Sequence, residues 1–277
     1  MPALLVLIAV TAVWGVTFVQ VKDAVALYPL FAFLAVRFLI ATATLAVPAA
    51  PRLASLGRRG LASAALAGCL LGGGYALQTA GLERTSVSAT GFITGLQTVL
   101  TPVLALAVFR TRVGVNAWIG VLLATVGLAL LAGIHRGHVA GDLLVLAGAA
   151  SYALQIVLMG RFAPAFDALA FTLVEMAVAF VGLGAVALAL GQVAWPHGWT
   201  VWGALVVTGI FASALAFLAQ TWAQRRTTAT RTALAFALEP VWAAFFGITL
   251  AGDRLGAAGW AGCVVIFAGI VVAERAA

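Results

Sequence analysis

Ten apolar runs follow one another along the chain with little between them. Delimited by charges and helix breakers, they cover about 3–22, 28–47, 61–80, 86–108, 114–133, 141–161, 168–190, 198–222, 228–251 and 256–274. A helix crosses the hydrocarbon core of a bilayer with about 20 mostly apolar residues, so each run has the length of one crossing. The strands of an outer-membrane barrel are shorter and alternate in polarity; these runs do neither, and they predict helices. The first run has no basic stretch ahead of it and no small-residue cleavage pattern before Trp14-Gly15, so it reads as a helix of the protein and not as a signal peptide.

Composition supports the same picture. Of 277 residues, 64% are hydrophobic and 8% charged, against about a quarter charged in a soluble domain, and the mean hydropathy is +1.16. No water-soluble surface can be built from so few charges, and the chain is predicted to be an all-α polytopic membrane protein. A net charge of +7 would suggest nucleic acid in a soluble chain. Here the basic residues sit in short loops and report orientation, so no nucleic-acid partner is expected. With the N-terminus in the cytoplasm, the inside loops hold Arg52, Arg58, Arg59, Arg110, Arg112, Arg161, Arg225, Arg226, Arg231 and Arg275. The outside loops hold Lys22, Arg84, Arg136 and Arg254, and Arg37 lies within a run. This bias predicts that both termini are cytoplasmic.

The second pattern is an internal echo. Tyr75 to Thr85 is partly repeated from Phe217 to Thr227, pairing Gln78 with Gln220, Thr79 with Thr221, Arg84 with Arg226 and Thr85 with Thr227 at a separation of 142 positions. The same separation pairs Arg112 with Arg254, Trp118 with Trp260, and the glycines 114, 120 and 127 with 256, 262 and 269. At 138 positions, Trp14-Gly15 falls over Tyr152-Ala153, Phe33 over Phe171, Arg37 over Glu175 and Pro102 over Pro240. Such self-similarity marks a duplication, and divides the chain into halves 1–138 and 139–277. Five helices is an odd number, so the second half must enter the bilayer from the opposite face. The expected fold is ten transmembrane helices as two inverted five-helix repeats around a central cavity. Equivalent residues then face opposite compartments, which is what alternating access requires.

Polar residues inside the runs are the candidate chemistry. Trp14, Tyr75, Gln78, Gln97, Tyr152, Gln155, Gln220 and Glu239 are expected to line a binding cavity, with aromatics for apolar groups and amides and Glu239 for charged ends. An aromatic beside a small residue also packs simply against a neighbouring backbone, and Tyr152 fits that description as well. Arg37 and Glu175 lie mid-span, where a charge costs several kcal/mol unless paired or used. They are expected to gate or to stabilise, pairing with each other across the halves or with backbone carbonyls. Pro102 and Pro240 each remove a backbone hydrogen bond, leaving the carbonyl of Thr98 or Phe236 without its usual partner, and predict paired bends or passive kinks. Glycines 68 and 72–74 allow close helix approach or a hinge. Runs five and ten carry no polar stripe and read as scaffold, or as a face through which a homodimer forms. Trp195, Pro196 and Trp199 suggest an outer aromatic belt. His135, His138 and His197 fall in outer loops without enough ligands for a metal, Cys69 and Cys263 are packing residues, and no cofactor is implied. No Ser/Lys, Asp/Asp or His/Glu constellation occurs within the runs, so an intramembrane enzyme is not expected.

The aromatic-Gly of the first run, Arg37-Phe38, Glu239-Pro240-Val241, and the Trp-x-Gly spacings of 118–127 and 260–269 occur in an order that resembles the drug/metabolite transporter superfamily. The chain resembles its ten-helix EamA-type exporters, and among them the YddG-type amino-acid exporters. That resemblance implies inverted repeats, a cavity lined by helices 1–4 and 6–9, helices 5 and 10 outside, and export of amino acids or related metabolites. The superfamily's four-helix multidrug members carry a membrane carboxylate in the first helix, where this chain has Trp14, so proton antiport by that route is not implied. Antiport of phosphorylated metabolites or nucleotide sugars on the same fold needs several cavity cations, whereas Arg37 alone is at depth. A non-transporting receptor or scaffold is the alternative from another class.

Overall fold

The structure is a computed structural model that describes residues 2–85, 87–132, 139–250 and 256–274. It is helical throughout, with helices α1 (Pro2–Val25), α2 (Leu30–Ala49), α3 (Gly57–Leu82), α4 (Val87–Gly95), α5 (Gln97–Phe109), α6 (Val115–Ala132), α7 (Val139–Phe162), α8 (Ala168–Ala189), α9 (Trp199–Val206), α10 (Ala216–Gln224), α11 (Ala229–Phe236), α12 (Glu239–Leu250) and α13 (Ala257–Glu274). A 3₁₀ turn, Ala50–Leu56, joins α2 to α3, and a π-helix, Val207–Leu215, joins α9 to α10. Six helical stretches among the described residues are long and apolar enough to cross a membrane. The stretch Leu30–Leu82 contains two of the ten apolar runs, and Val115–Leu130 and Ala257–Val272 are shorter apolar helices. The chain is a multi-pass membrane protein.

Two runs are interrupted among the described residues. The fourth breaks at Leu96, whose N–H reaches back to Ile93 O (3.1 Å) while its carbonyl accepts from Val99 (2.9 Å), a local tightening to three-residue spacing. The ninth breaks at Ala237 and Leu238, where the Ala237 N–H is shared between Ala233 O (3.2 Å) and Leu234 O (3.1 Å). Pro240 is the second residue of α12, a position whose N–H has no helical partner anyway, so it begins a helix. Pro102 lies inside α5, and the interruption of that run falls six residues before it. The two prolines therefore do not hold equivalent places. At the start of α8 the Asp167 carboxylate is an N-cap, accepting from Leu169 and Ala170 N–H (3.1 and 3.0 Å).

The contacts between the halves come in matched sets. α3 packs on α7, and in the other half α9 and α10 pack on α1. Likewise α5 on α7 is matched by α11 and α12 on α1, and α3 on α8 by the π-helix on α2. Three further contacts, α2 with α8, α5 with α11 and α6 with α13, join equivalent runs. Glycines bring backbones together at these crossings. A β-carbon on Gly68 would stand 2.5 Å from the Glu175 carbonyl oxygen, and on Gly127 and Gly269 it would meet the carbonyls of Gly262 (2.7 Å) and Gly120 (2.8 Å). The α6–α13 pair turns large apolar side chains such as Leu122, Val264 and Phe267 outward, as a lipid-facing pair does.

Candidate functional site

A cavity of about 50 Å³ lies where α1, α2, α3, α4, α5, α7, α10, α11 and α12 meet. A buried water needs roughly 10–15 Å³ of such space, so the cavity holds a few waters. All eight residues expected to form a binding site line it, together with Arg37. Sequence analysis did not single out Thr17, Phe217 or Phe236 as lining residues, but they line it too. Thr17 stands over Gln155 at 138 positions and Phe217 over Tyr75 at 142, so the duplication carried the signal for both.

The apolar wall is a cluster of rings. Trp14 lies 5.3 Å from Phe217 and 4.9 Å from Phe236, and Tyr75 lies 5.4 Å from Tyr152, measured between centroids. The Trp14–Phe236 and Tyr75–Tyr152 pairs meet edge to face, an arrangement that adds about 0.5–1.5 kcal/mol each beyond area burial. The Trp14 indole N–H donates to Ala212 O (2.8 Å) in the π-helix. The next residue, Ser213, accepts from Arg37 Nε (2.8 Å). π-turns frequently sit at functional sites, and this one presents a carbonyl and a hydroxyl side by side to the centre.

The expected Arg37–Glu175 pair does not form. Arg37 donates to Ser213 and through Nη2 to the Tyr75 hydroxyl (3.0 Å), with its guanidinium carbon 4.4 Å from the Tyr75 ring centroid. The phenol ring and two hydroxyls hold the cation, and an amide holds the carboxyl: Glu175 Oε1 accepts from Gln155 Nε2 (2.7 Å). The ion pair found among the described residues is Arg52–Asp167 (3.3 Å), at the surface.

Amides run in a chain behind the cavity. Gln220 Nε2 donates to Gln155 Oε1 (3.2 Å) and Gln224 Oε1 (2.9 Å), and Gln224 Nε2 donates to Ile156 O (2.9 Å). On the opposite wall, Tyr152 OH donates to Gln78 Oε1 (3.1 Å) and Gln78 Nε2 to Thr94 Oγ1 (2.8 Å). Gln78 is thus satisfied internally. Gln97 and Glu239 are not: 3% and 7% exposed, they line the cavity, and their side chains make no hydrogen bond to the described residues. They stand 142 positions apart, and each is the first residue of the helix that follows an interruption. Their equivalence was hidden by the proline match at 138, although the Gln78/Gln220 register already gave the correct separation. His135, His138, Asp253 and Arg254 lie outside the described residues.

The EamA-like transporter family model matches the chain twice, over residues 1–133 and 139–274. An uncharacterized transporter of Archaeoglobus fulgidus is 28% identical over 263 residues, covering 95% of this chain and 82% of its own. The uncharacterized transporter YyaM of Bacillus subtilis is 30% identical over 181 residues, covering 60% of this chain and 57% of its own. A solved crystal structure superposes with a TM-score of 0.82 over 100% of this chain and 99% of that one at 21% identity, a likeness of fold.

Proposed function

We propose, from the premise that the chain belongs to the EamA-like transporter family, that it exports amino acids across a bacterial inner membrane by alternating access. The observation that carries this is the pair Gln97 and Glu239, two polar side chains that face one cavity between aromatic rings and make no hydrogen bond to the described residues. A buried polar group without a partner costs about 1–3 kcal/mol, a cost that a ligand bringing its own charges offsets. An amino acid fits both poles: its ammonium goes to Glu239, its carboxylate to Gln97 and the remaining N–H groups of Arg37, and its side chain to Trp14, Phe217 and Phe236. Tyr75, Tyr152, Gln78, Gln155 and Gln220 shape the walls.

Ten crossings in two inverted halves, 1–138 and 139–277, are part of the same reading. The matched contacts between halves support a pseudo-two-fold axis, and an odd number of crossings per half makes it lie in the membrane plane. The loop charges support cytoplasmic termini. A cavity of about 50 Å³ is too small for an amino acid, so binding requires the interrupted helices α4–α5 and α11–α12 to move apart. Two copies would pair through the outer faces of α6 and α13, which cysteine cross-linking at Trp260 in native membranes checks.

The test is exchange of labelled neutral amino acids into preloaded liposomes containing the purified protein. We expect saturable exchange that Glu239→Gln slows about tenfold or more, the loss of one charge-assisted hydrogen bond of about 1.5–3 kcal/mol. Exchange of sugar phosphates and of no amino acid would replace this reading with the antiporter. A folded protein that exchanges neither would point to a receptor or scaffold.

A further inference from the structure

We propose that Glu175 is the proton-carrying group of this transporter, binding one proton in one arrangement of the two halves and releasing it in the other. The inference rests on the alternating-access reading. Its basis is what surrounds the carboxyl. Glu175 is fully buried in the middle of α8, it does not line the cavity, and no cation among the described residues lies at ion-pair distance. One oxygen accepts from Gln155, and the other, Oε2, has no hydrogen-bond partner. Gln220 Oε1, two links along the same amide chain, is likewise buried and unpartnered. Two acceptors of the cluster are thus left without a donor. A bare carboxylate placed at such depth costs several kcal/mol, and a proton on Oε2 removes the charge and supplies a donor.

The charged and titratable groups on the packed elements are committed elsewhere or lie at the surface. On α2, Arg37 is bound to Ser213 and Tyr75; on α3, Tyr75 accepts from Arg37, while Arg58, Arg59 and Cys69 are exposed. In the 3₁₀ turn, Arg52 pairs with Asp167; on α7, Tyr152 donates to Gln78, Asp142 accepts from Thr85 and Arg161 is exposed. The π-helix and α10 present only neutral groups to α8.

Coupling follows from the repeat. When the halves exchange conformations, Glu175 takes the surroundings that Arg37 has here, and Phe217 stands where Tyr75 stood. Gln155 then takes the place of Thr17, so its amide no longer needs to face Glu175. A carboxyl that gains and loses an amide donor with the conformation binds its proton with different strength in the two states, and a proton gradient biases their exchange. Glu175 takes its proton from hydronium on one side, releasing water, and gives it to water on the other, re-forming hydronium and leaving the carboxyl as it began. Glu239 is less suited to this role because it faces the ligand.

The purified full-length protein is titrated by infrared difference spectroscopy, and liposomes containing it are assayed for amino-acid uptake against an imposed pH gradient. We expect a pH-dependent carboxyl band in the wild type and in Glu239→Gln that is absent from Glu175→Gln. Glu175→Gln should keep gradient-free exchange within about threefold and lose accumulation driven by the pH gradient. An unchanged band, or accumulation equal to wild type, overturns the proposal; wild-type exchange indifferent to the gradient does so too, while leaving the transport reading intact. If Glu175→Gln fails to fold, Glu175→Asp keeps a carboxyl on a shorter arm, and an infrared midpoint equal to wild type counts against the assignment.

Discussion

At the scale of single residues, the centre of the molecule is a competition for Arg37. Its guanidinium has a ring face, a phenol and a serine hydroxyl within reach, and together these outcompete a distant carboxylate. A double-mutant cycle on Arg37→Lys and Ser213→Ala should give a coupling of about 1.5–3 kcal/mol in thermal unfolding, because lysine is a flexible point charge that does not reproduce the two directed bonds. A coupling near zero would mean the bond is incidental. Trp14 to Ala212 is a neutral bond between helices, which in membranes is worth on average about 0.6 kcal/mol. Trp14→Phe should therefore cost little stability and be felt mainly in exchange rate.

Which residues gather at the centre could be read from the chain, since a polar side chain in an apolar run has few other places to go. Which of them bond to one another could not. Ser213 lies inconspicuously in an apolar run, and the π-helix that turns it inward leaves no trace in the spacing of apolar positions. Pro102 suggested a break that occurs instead at Leu96, because a proline inside a helix can be accommodated when threonine hydroxyls and neighbouring helices satisfy what it frees. The helix that carries Pro102 packs closely on α7 and α11.

At the scale of helices, the close crossings decide stability. Gly68→Ala gains up to about 1 kcal/mol of helix propensity, but its β-carbon meets a backbone carbonyl at 2.5 Å that no rotamer change can move. Overpacking of about 1–3 kcal/mol wins, and the unfolding temperature should drop by several degrees. Gly182→Ala has open space around it and should be neutral or slightly stabilising. The difference in sign is the check: two equal drops would mean that the cost does not come from the close contact at Gly68. Pro240→Ala restores a donor at the start of α12 and should straighten the α11–α12 junction, slowing exchange more than Pro102→Ala, which lies beyond its run's interruption.

At the scale of the molecule, the two halves are alike in arrangement and unlike in what they place at matching positions: an amide and a carboxyl at the mouths of the interrupted helices, a guanidinium and a carboxyl one layer behind. Under the proposed alternating access, exchanging the conformations of the two halves therefore does not return the same molecule. On the proposed alternating-access reading the inward-open and outward-open forms would differ in energy and in their grip on the ligand, so half-saturating concentrations measured from the two faces should be unequal. With no driving gradient, the ratio of maximal rate to that concentration must still be identical in both directions. Moving the acid to the opposite wall, by combining Gln97→Glu with Glu239→Gln, should exchange the tighter face for the looser one.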